Sequence, residues 1–262
     1  MSCVSGDFCR DTKRVAHVTG WFFIPFADFA RVVLSKDEAK RERMKEVMEK
    51  SAKRELLRGC VWLAAFVVWT LLTKFADVQP VGVNGTSVGL AGMNVWFHSL
   101  AGVHMGLYTL TDWLGLVPVA VCFGFGAMGL WQLIVRRSLW RVDRDLLVLG
   151  VYYVVVIGCY LLFEEAAMHY RPVLIDGRME ASYPSSTTLL TLCVMPTLVQ
   201  QVRARCERNA WTKAVCAAAT VFAALMVAGR LVSGVHWLAD IVGGALLSAG
   251  LYALYCAAVK KG

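Results

Sequence analysis

Three short stretches of the chain hold the residue types that phosphoryl chemistry uses. They are Glu164–Pro172 (EEAAMHYRP), Tyr183–Thr188 (YPSSTT) and Gly229–Asp240 (GRLVSGVHWLAD). His236 and Asp240 are four apart, so a helix would place them on one face. The carboxylate could then accept from one ring nitrogen and leave the other free to attack an electrophile. Arg171 and Arg230 offer forked donors that suit the equatorial oxygens of a transferring phosphoryl group. Pro184 is predicted at the first position of a helix. The Ser185 hydroxyl and the amides of Ser186 and Thr187 would then face an anion at that helix N-terminus. Each feature alone has a plainer explanation, since an interfacial arginine anchors a helix and a His-x3-Asp pair can cap one.

The elements that must position these residues are membrane helices. The chain has 262 residues, 58% of them hydrophobic, and a mean hydropathy of +0.56. Soluble domains are about 45–50% apolar even when glycine is counted, so lipid is the expected solvent. Uncharged runs of 23 residues (Asp112 to Arg136), 18 (Asp145 to Glu164), 22 (Glu180 to Arg203) and 16 (Lys213 to Arg230) approach or match the roughly 17–25 residues of a spanning helix. The run between Arg58 and Lys74 has 15 and spans if both long side chains snorkel. The run after Asp240 continues to Lys260. An all-α polytopic membrane protein is expected, with six transmembrane helices in one bundle: roughly 56–74, 114–135, 146–163, 185–202, 212–229 and 235–258.

The basic residues orient that bundle. Arg10 to Arg58 holds 13 Lys and Arg, and the segments 136–144, 203–213 and 260–261 raise the count on that side to 23 of 27. Lys74, Arg171, Arg178 and Arg230 face the other way. The positive-inside rule makes both termini cytoplasmic and puts all three polar stretches at the extracytoplasmic face. Such a pattern accounts for the net charge of +8 through anionic headgroups, with no nucleic-acid partner. The nine cysteines include no C-x-x-C pair, so neither a disulfide framework nor a zinc site is implied. Residues 1–20 lack the apolar core of a cleavable signal peptide.

Two regions are assigned. Residues 1–55 form a cytoplasmic extension, with an apolar-aromatic stretch at Trp21–Leu34 suited to the interface. Ser35-Lys36-Asp37-Glu38 there reads as a capping box opening a charged helix. Residues 56–262 form the helical bundle. Its extracytoplasmic loop, 75–113, is expected to carry a short interfacial helix around Asn94–His98 over the mouth of the bundle, with His104 and Asp112 beyond.

The three stretches resemble the signature of the type-2 phosphatidic acid phosphatase superfamily of membrane lipid phosphatases: K-x6-R-P, then P-S-G-H, then S-R-x5-H-x3-D. Arg230, His236 and Asp240 match the third motif, with Gly229 in place of its serine. Arg171 and Pro172 keep the end of the first, while Glu164 stands at its lysine. Pro184 and Ser185 keep the start of the second, which continues Ser186-Thr187 in place of Gly-His.

The resemblance implies a phosphoric ester or diphosphate hydrolase that needs no metal or other cofactor and acts on a lipid phosphate at the plasma (inner) membrane. His236 would form a phosphohistidine, Asp240 would orient it, and Arg171, Ser185, Ser186, Thr187 and Arg230 would hold the oxygens. Thr187 cannot serve as the family's proton donor. That implies a surrogate acid, among which His169 is favoured over His98, His104, Glu164 and Glu165, or a diphosphate substrate such as undecaprenyl diphosphate. The alternatives are a non-catalytic relative that binds or moves lipid phosphates and a lipid phosphotransferase.

Overall fold

The computed structural model describes the backbone of residues 12–261, with side chains from Lys40 onward. The described residues are helical apart from short connections and three isolated bridges, Gln79–Val88, Tyr170–Ala181 and Ile175–Arg178. In order, the helices are α1 Thr12–Phe75, α2 Ala91–Ala101, α3 Met105–Leu114, α4 Leu116–Arg136, α5 Arg144–Ala166, α6 Ser186–Arg205, α7 Ala210–Val232 and α8 Leu238–Lys260.

Two compact units divide the chain, Met1–Ser51 and Ala52–Gly262. In the first, the backbone is already helical from Thr12 and stays so through Ser35. No helix therefore begins at the expected capping box. Good helix formers follow without a breaker (Lys40 to Ser51), and continuing a helix is cheaper than nucleating one. Exposed pairs Lys45–Glu42 and Lys50–Glu46 line this stretch. The side chains of Trp21–Leu34 lie outside the described residues.

Five segments are long and apolar enough to cross a membrane: Lys40–Phe75, Met105–Arg136, Arg144–Ala166, Ala210–Val232 and Leu238–Lys260. The chain is an integral membrane protein. Helix α6 is not among the five. Thr188, Thr191, Thr197 and Gln201 on it are buried, because α6 packs against α4, α5, α7 and α8. A helix enclosed by other helices meets little lipid, so it tolerates polarity that would be costly on an outer face. Its ends are tied to its neighbours' ends. The Ser185 amide donates to the Asp240 carbonyl at 3.1 Å, and Arg205 pairs with Asp143 and Asp145 at the start of α5.

The second apolar segment begins earlier than its charges suggested. Helix α3 runs into α4 across Gly115, which keeps right-handed helical angles, so Asp112 sits inside the helical segment. Its carboxylate is tolerated there because Arg230 of α7 donates to it at 3.0 Å. The loop before it carries two helices where one was expected, α2 against the start of α8 and α3 against α7. Glycine permits both approaches. A Cβ on Gly229 would stand 2.7 Å from Thr111 Cγ2, and one on Gly234, whose φ is +68°, would stand 1.8 Å from the Gly102 carbonyl oxygen.

Candidate active site

The polar stretches meet where α6 and α8 begin and α5 and α7 end. Asp240, in the first turn of α8, accepts from the Trp237 amide at 2.9 Å and so caps its own helix. His236 precedes that helix. The expected i, i+4 pair on one helical face is therefore not what joins them. Their closest approach is 3.7 Å, and Ser182 bridges the gap. Its hydroxyl donates to Asp240 Oδ2. Having one proton, it must accept at 3.1 Å from His236 Nδ1. The tautomer follows: Nδ1 carries the hydrogen, and Nε2 keeps a lone pair. That nitrogen is buried without a hydrogen-bond partner. Burial, reinforced by the nearby guanidinium groups of Arg171 and Arg230, pushes His236 down to about 4 against the pull of Asp240. The imidazole is thus held in its neutral form at physiological pH.

Two arginines share the ring of Tyr108. The Cζ of Arg171 lies 5.5 Å from the Tyr108 ring centroid and that of Arg230 lies 4.9 Å from the same centroid. Arg171 spends Nη2 on Glu180 at 3.1 Å, and Arg230 spends Nη2 on Asp112 and Thr187. The Nε and Nη1 atoms of both are buried with no partner, as is Ser185 Oγ. Buried donors without acceptors are costly. Such donors, on two arginines close enough to His236 to act on its charge, are ones that an oxyanion could satisfy. Ser185, Ser186 and Thr187 stand at the start of α6 as its cap and first two residues. Pro184 precedes the cap; it does not open the helix as its first residue, because Ser185, with ψ of 111°, is not yet helical.

His169 is buried on the far side of Asp240. Its Nδ1 is 3.7 Å from Asp240 Oδ1, and its Nε2 meets the Gly89 amide at 3.2 Å and the Thr73 carbonyl at 3.1 Å. Nε2 is thus engaged by the backbone, while Nδ1 is turned toward Asp240 Oδ1 without a hydrogen bond, a position that suits the ring to support Asp240. His98 contacts the Gly234 carbonyl at 3.1 Å and His104 the Ala101 carbonyl at 3.0 Å. Glu164 and Glu165 are exposed.

A cavity of about 1200 Å³ runs from Asp112, Ser186 and Thr187 between α4, α5 and α6 to Leu139 and Val142. Its α4 lining extends from Leu116 to Leu133, roughly 25 Å of helix at 1.5 Å per residue, close to the roughly 30 Å of a hydrocarbon core.

The family model described as PAP2 superfamily matches residues 119–261, more than half of the chain. The chain belongs to the PAP2 superfamily. All three motif stretches fall inside the matched region, whereas α2, α3 and Asp112 precede it. Among solved structures it is similar to a transmembrane PAP2-type phosphatidylglycerolphosphate phosphatase from Bacillus subtilis. The identity is 17%, the alignment covers 76% of this chain and 94% of that one, and the TM-score is 0.48. No curated protein matches. Residues of the site that sequence reasoning passed over are Ser182, Tyr108, Glu180, Asp112 and Asn94. The Asn94 side chain is fully buried, accepts from the Ala239 amide at 3.0 Å and donates to the Gly89 carbonyl at 2.8 Å. Position offered one clue, for Ser182 lies two residues before Pro184.

Proposed function

We propose that the chain is a lipid phosphate phosphatase working through a phosphohistidine on His236, without a metal. The observation that carries this reading is the cluster of buried, unpartnered polar atoms: His236 Nε2, Nε and Nη1 of Arg171 and Arg230, and Ser185 Oγ. The lone pair of Nε2 attacks phosphorus while the guanidinium groups and Ser185 take the charge growing on the equatorial oxygens. Asp240, through Ser182, stabilises the positive imidazole so formed. The apolar cavity opening beside Thr187 supports a lipid tail as the rest of the substrate.

In this reading α6 is the sixth crossing, since it joins the same two ends of the bundle as its apolar neighbours. Both termini are cytoplasmic and the site faces the extracytoplasmic side of the plasma membrane. Thr187, bonded to Arg230, supplies no proton to a leaving group. That favours lipid diphosphates, whose departing phosphate needs none, over monoesters with alkoxide leaving groups. The test is phosphate release from a panel of lipid mono- and diphosphates by purified protein in chelator. His236→Ala should lower turnover at least about 10⁴-fold, as loss of a covalent nucleophile does. Activity of the variant near the wild-type level would assign the chemistry elsewhere. Binding without turnover by the wild type would favour a non-catalytic relative, and product phosphorylated on an added alcohol would favour a phosphotransferase.

A further inference from the structure

We propose that Asp112 is a catalytic residue: the general base that activates water to hydrolyse the phosphohistidine. The proposal rests on the phosphohistidine reading and adds a residue that lies before the matched family region.

Hydrolysis of a phosphoenzyme needs a proton acceptor near phosphorus. The site's other titratable groups are engaged elsewhere. Asp240 is fully buried and holds Ser182 and the Trp237 amide. His169 has Nε2 on Gly89 and Thr73, its Nδ1 is turned toward Asp240 Oδ1 at 3.7 Å, and it does not line the cavity. Glu180 takes Arg171. Asp112 is the one carboxylate lining the cavity among the described residues, beside Ser186 and Thr187. It shares the Arg230 Nη2 atom with Thr187, and its side chain is 58% exposed. One oxygen accepts from Arg230, leaving the other for a water molecule. The small residue at 229 serves the same arrangement. Any Cβ there would strike Thr111 and drive α3, with Asp112, away from Arg230.

The step balances as follows. A water oxygen attacks phosphorus, and its proton passes to the Asp112 carboxylate. The P–Nε2 bond breaks and its electron pair returns to His236 as the ring lone pair. Inorganic phosphate leaves, and Asp112 gives its proton to solvent. The protein is therefore equipped for the second half-reaction while the first depends on a good leaving group.

The experiment is labelling of the full-length protein with polyprenyl diphosphate carrying ³²P in its terminal phosphate, quenched in alkaline detergent because phosphohistidine is lost in acid, followed by a chase with unlabelled substrate. Asp112→Asn should slow release of label from the enzyme by about 10²-fold and bring most of the enzyme to the phosphorylated state at steady state. Asp112→Glu, which keeps a carboxylate, should turn over within tenfold of wild type without accumulation. Thr187→His in the Asp112→Asn background should restore release by supplying another base. Slowed turnover in Asp112→Asn without accumulated label would make Asp112 a positioning residue for Arg230 and overturn the proposal; so would unchanged release, or accumulation in Asp112→Glu equal to that in Asp112→Asn. The underlying reading fails separately, when the wild type turns over but labelled enzyme never forms and His236→Ala remains active.

Discussion

The two ends of the helical bundle use the same residue types to opposite effect. At the end holding the α4–α5 connection, Arg205 gives Nε to Gln201 at 2.8 Å, Nη1 to Asp143 at 3.0 Å and Nη2 to Asp145. Asp143 also takes Arg136 at 2.8 Å and Gln132 at 2.8 Å. These bonds, Arg136 foremost, hold its carboxyl far below the usual range. Each nitrogen of Arg205 has an acceptor within the protein, and its side chain is 25% exposed. At the opposite end Arg230 is 1% exposed, yet two of its three nitrogens have no partner. Burial with unmet donors is the costlier arrangement, and a fold retains it where a ligand completes it. The presence of arginine says little; the arithmetic of its hydrogen bonds separates a clamp from a site.

Conservative replacement should split the two ends. Arg230→Lys keeps a positive charge and loses the fork, so kcat/KM should fall about 10²–10³-fold, the scale of losing one preformed oxyanion donor. The measurement is phosphate release in detergent micelles, with the thermal midpoint as the control for folding. A fall under threefold would mean that the unpaired Nε and Nη1 atoms do not meet the substrate.

Much of this contrast was legible in the residues and some was not, for physical reasons. Helices α4, α5, α7 and α8 follow from apolar runs between charges, because lipid enforces that pattern on any outer face. Arg171, Ser185, Arg230, His236 and Asp240 could be brought together because a topology set by basic loops put their stretches at one end. Position 112 misled, since a lone aspartate reads as the edge of a membrane span until its partner on α7 is known. Asp112 and Arg230 are 118 residues apart, and no local spacing announces such a pair. Ser182 stayed hidden because a serine is unremarkable in sequence and gains its role only when two other side chains arrive at 3.7 Å, too far apart to bond directly.

Ser182 offers the next sharpest test. Ser182→Ala should cut kcat about 10–10²-fold, the worth of hydrogen bonds to charged partners, and should leave KM nearly unchanged because the hydroxyl touches no substrate oxygen. Ser182→Thr should restore most of the rate. The pH dependence carries the sign. His236 sits near 4, below its ordinary value, so the folded protein keeps it neutral as pH falls through 6.5 while the unfolded chain takes up a proton. Its contribution to stability is thus complete above about 6.5 and is lost progressively between 6.5 and 4. The acid limb of kcat/KM, after correction for the substrate's own ionisation, should likewise lie below pH 5. A limb at 6.5 in the wild type would show that His236 titrates as if exposed.

The smallest effect belongs to the other end, and its smallness is the point. Arg205→Gln removes two ion pairs from a network in which Asp143 retains Arg136 and Gln132. Partly exposed pairs of this kind contribute about 0.2–1 kcal/mol each, so the thermal midpoint in detergent should drop by only a few degrees. Phosphate release should stay within twofold of wild type, since Arg205 ends α6 at the end opposite Ser185 and Thr187. The same chemical change at Arg230 should abolish most activity, and its stability cost should come from the Nη2 bonds to Asp112 and Thr187, since the Nε and Nη1 atoms had no protein partners to lose. Comparable activity losses in the two variants would mean that the ends are coupled through α6, the buried polar helix whose first turn lines the site and whose last turn carries the clamp.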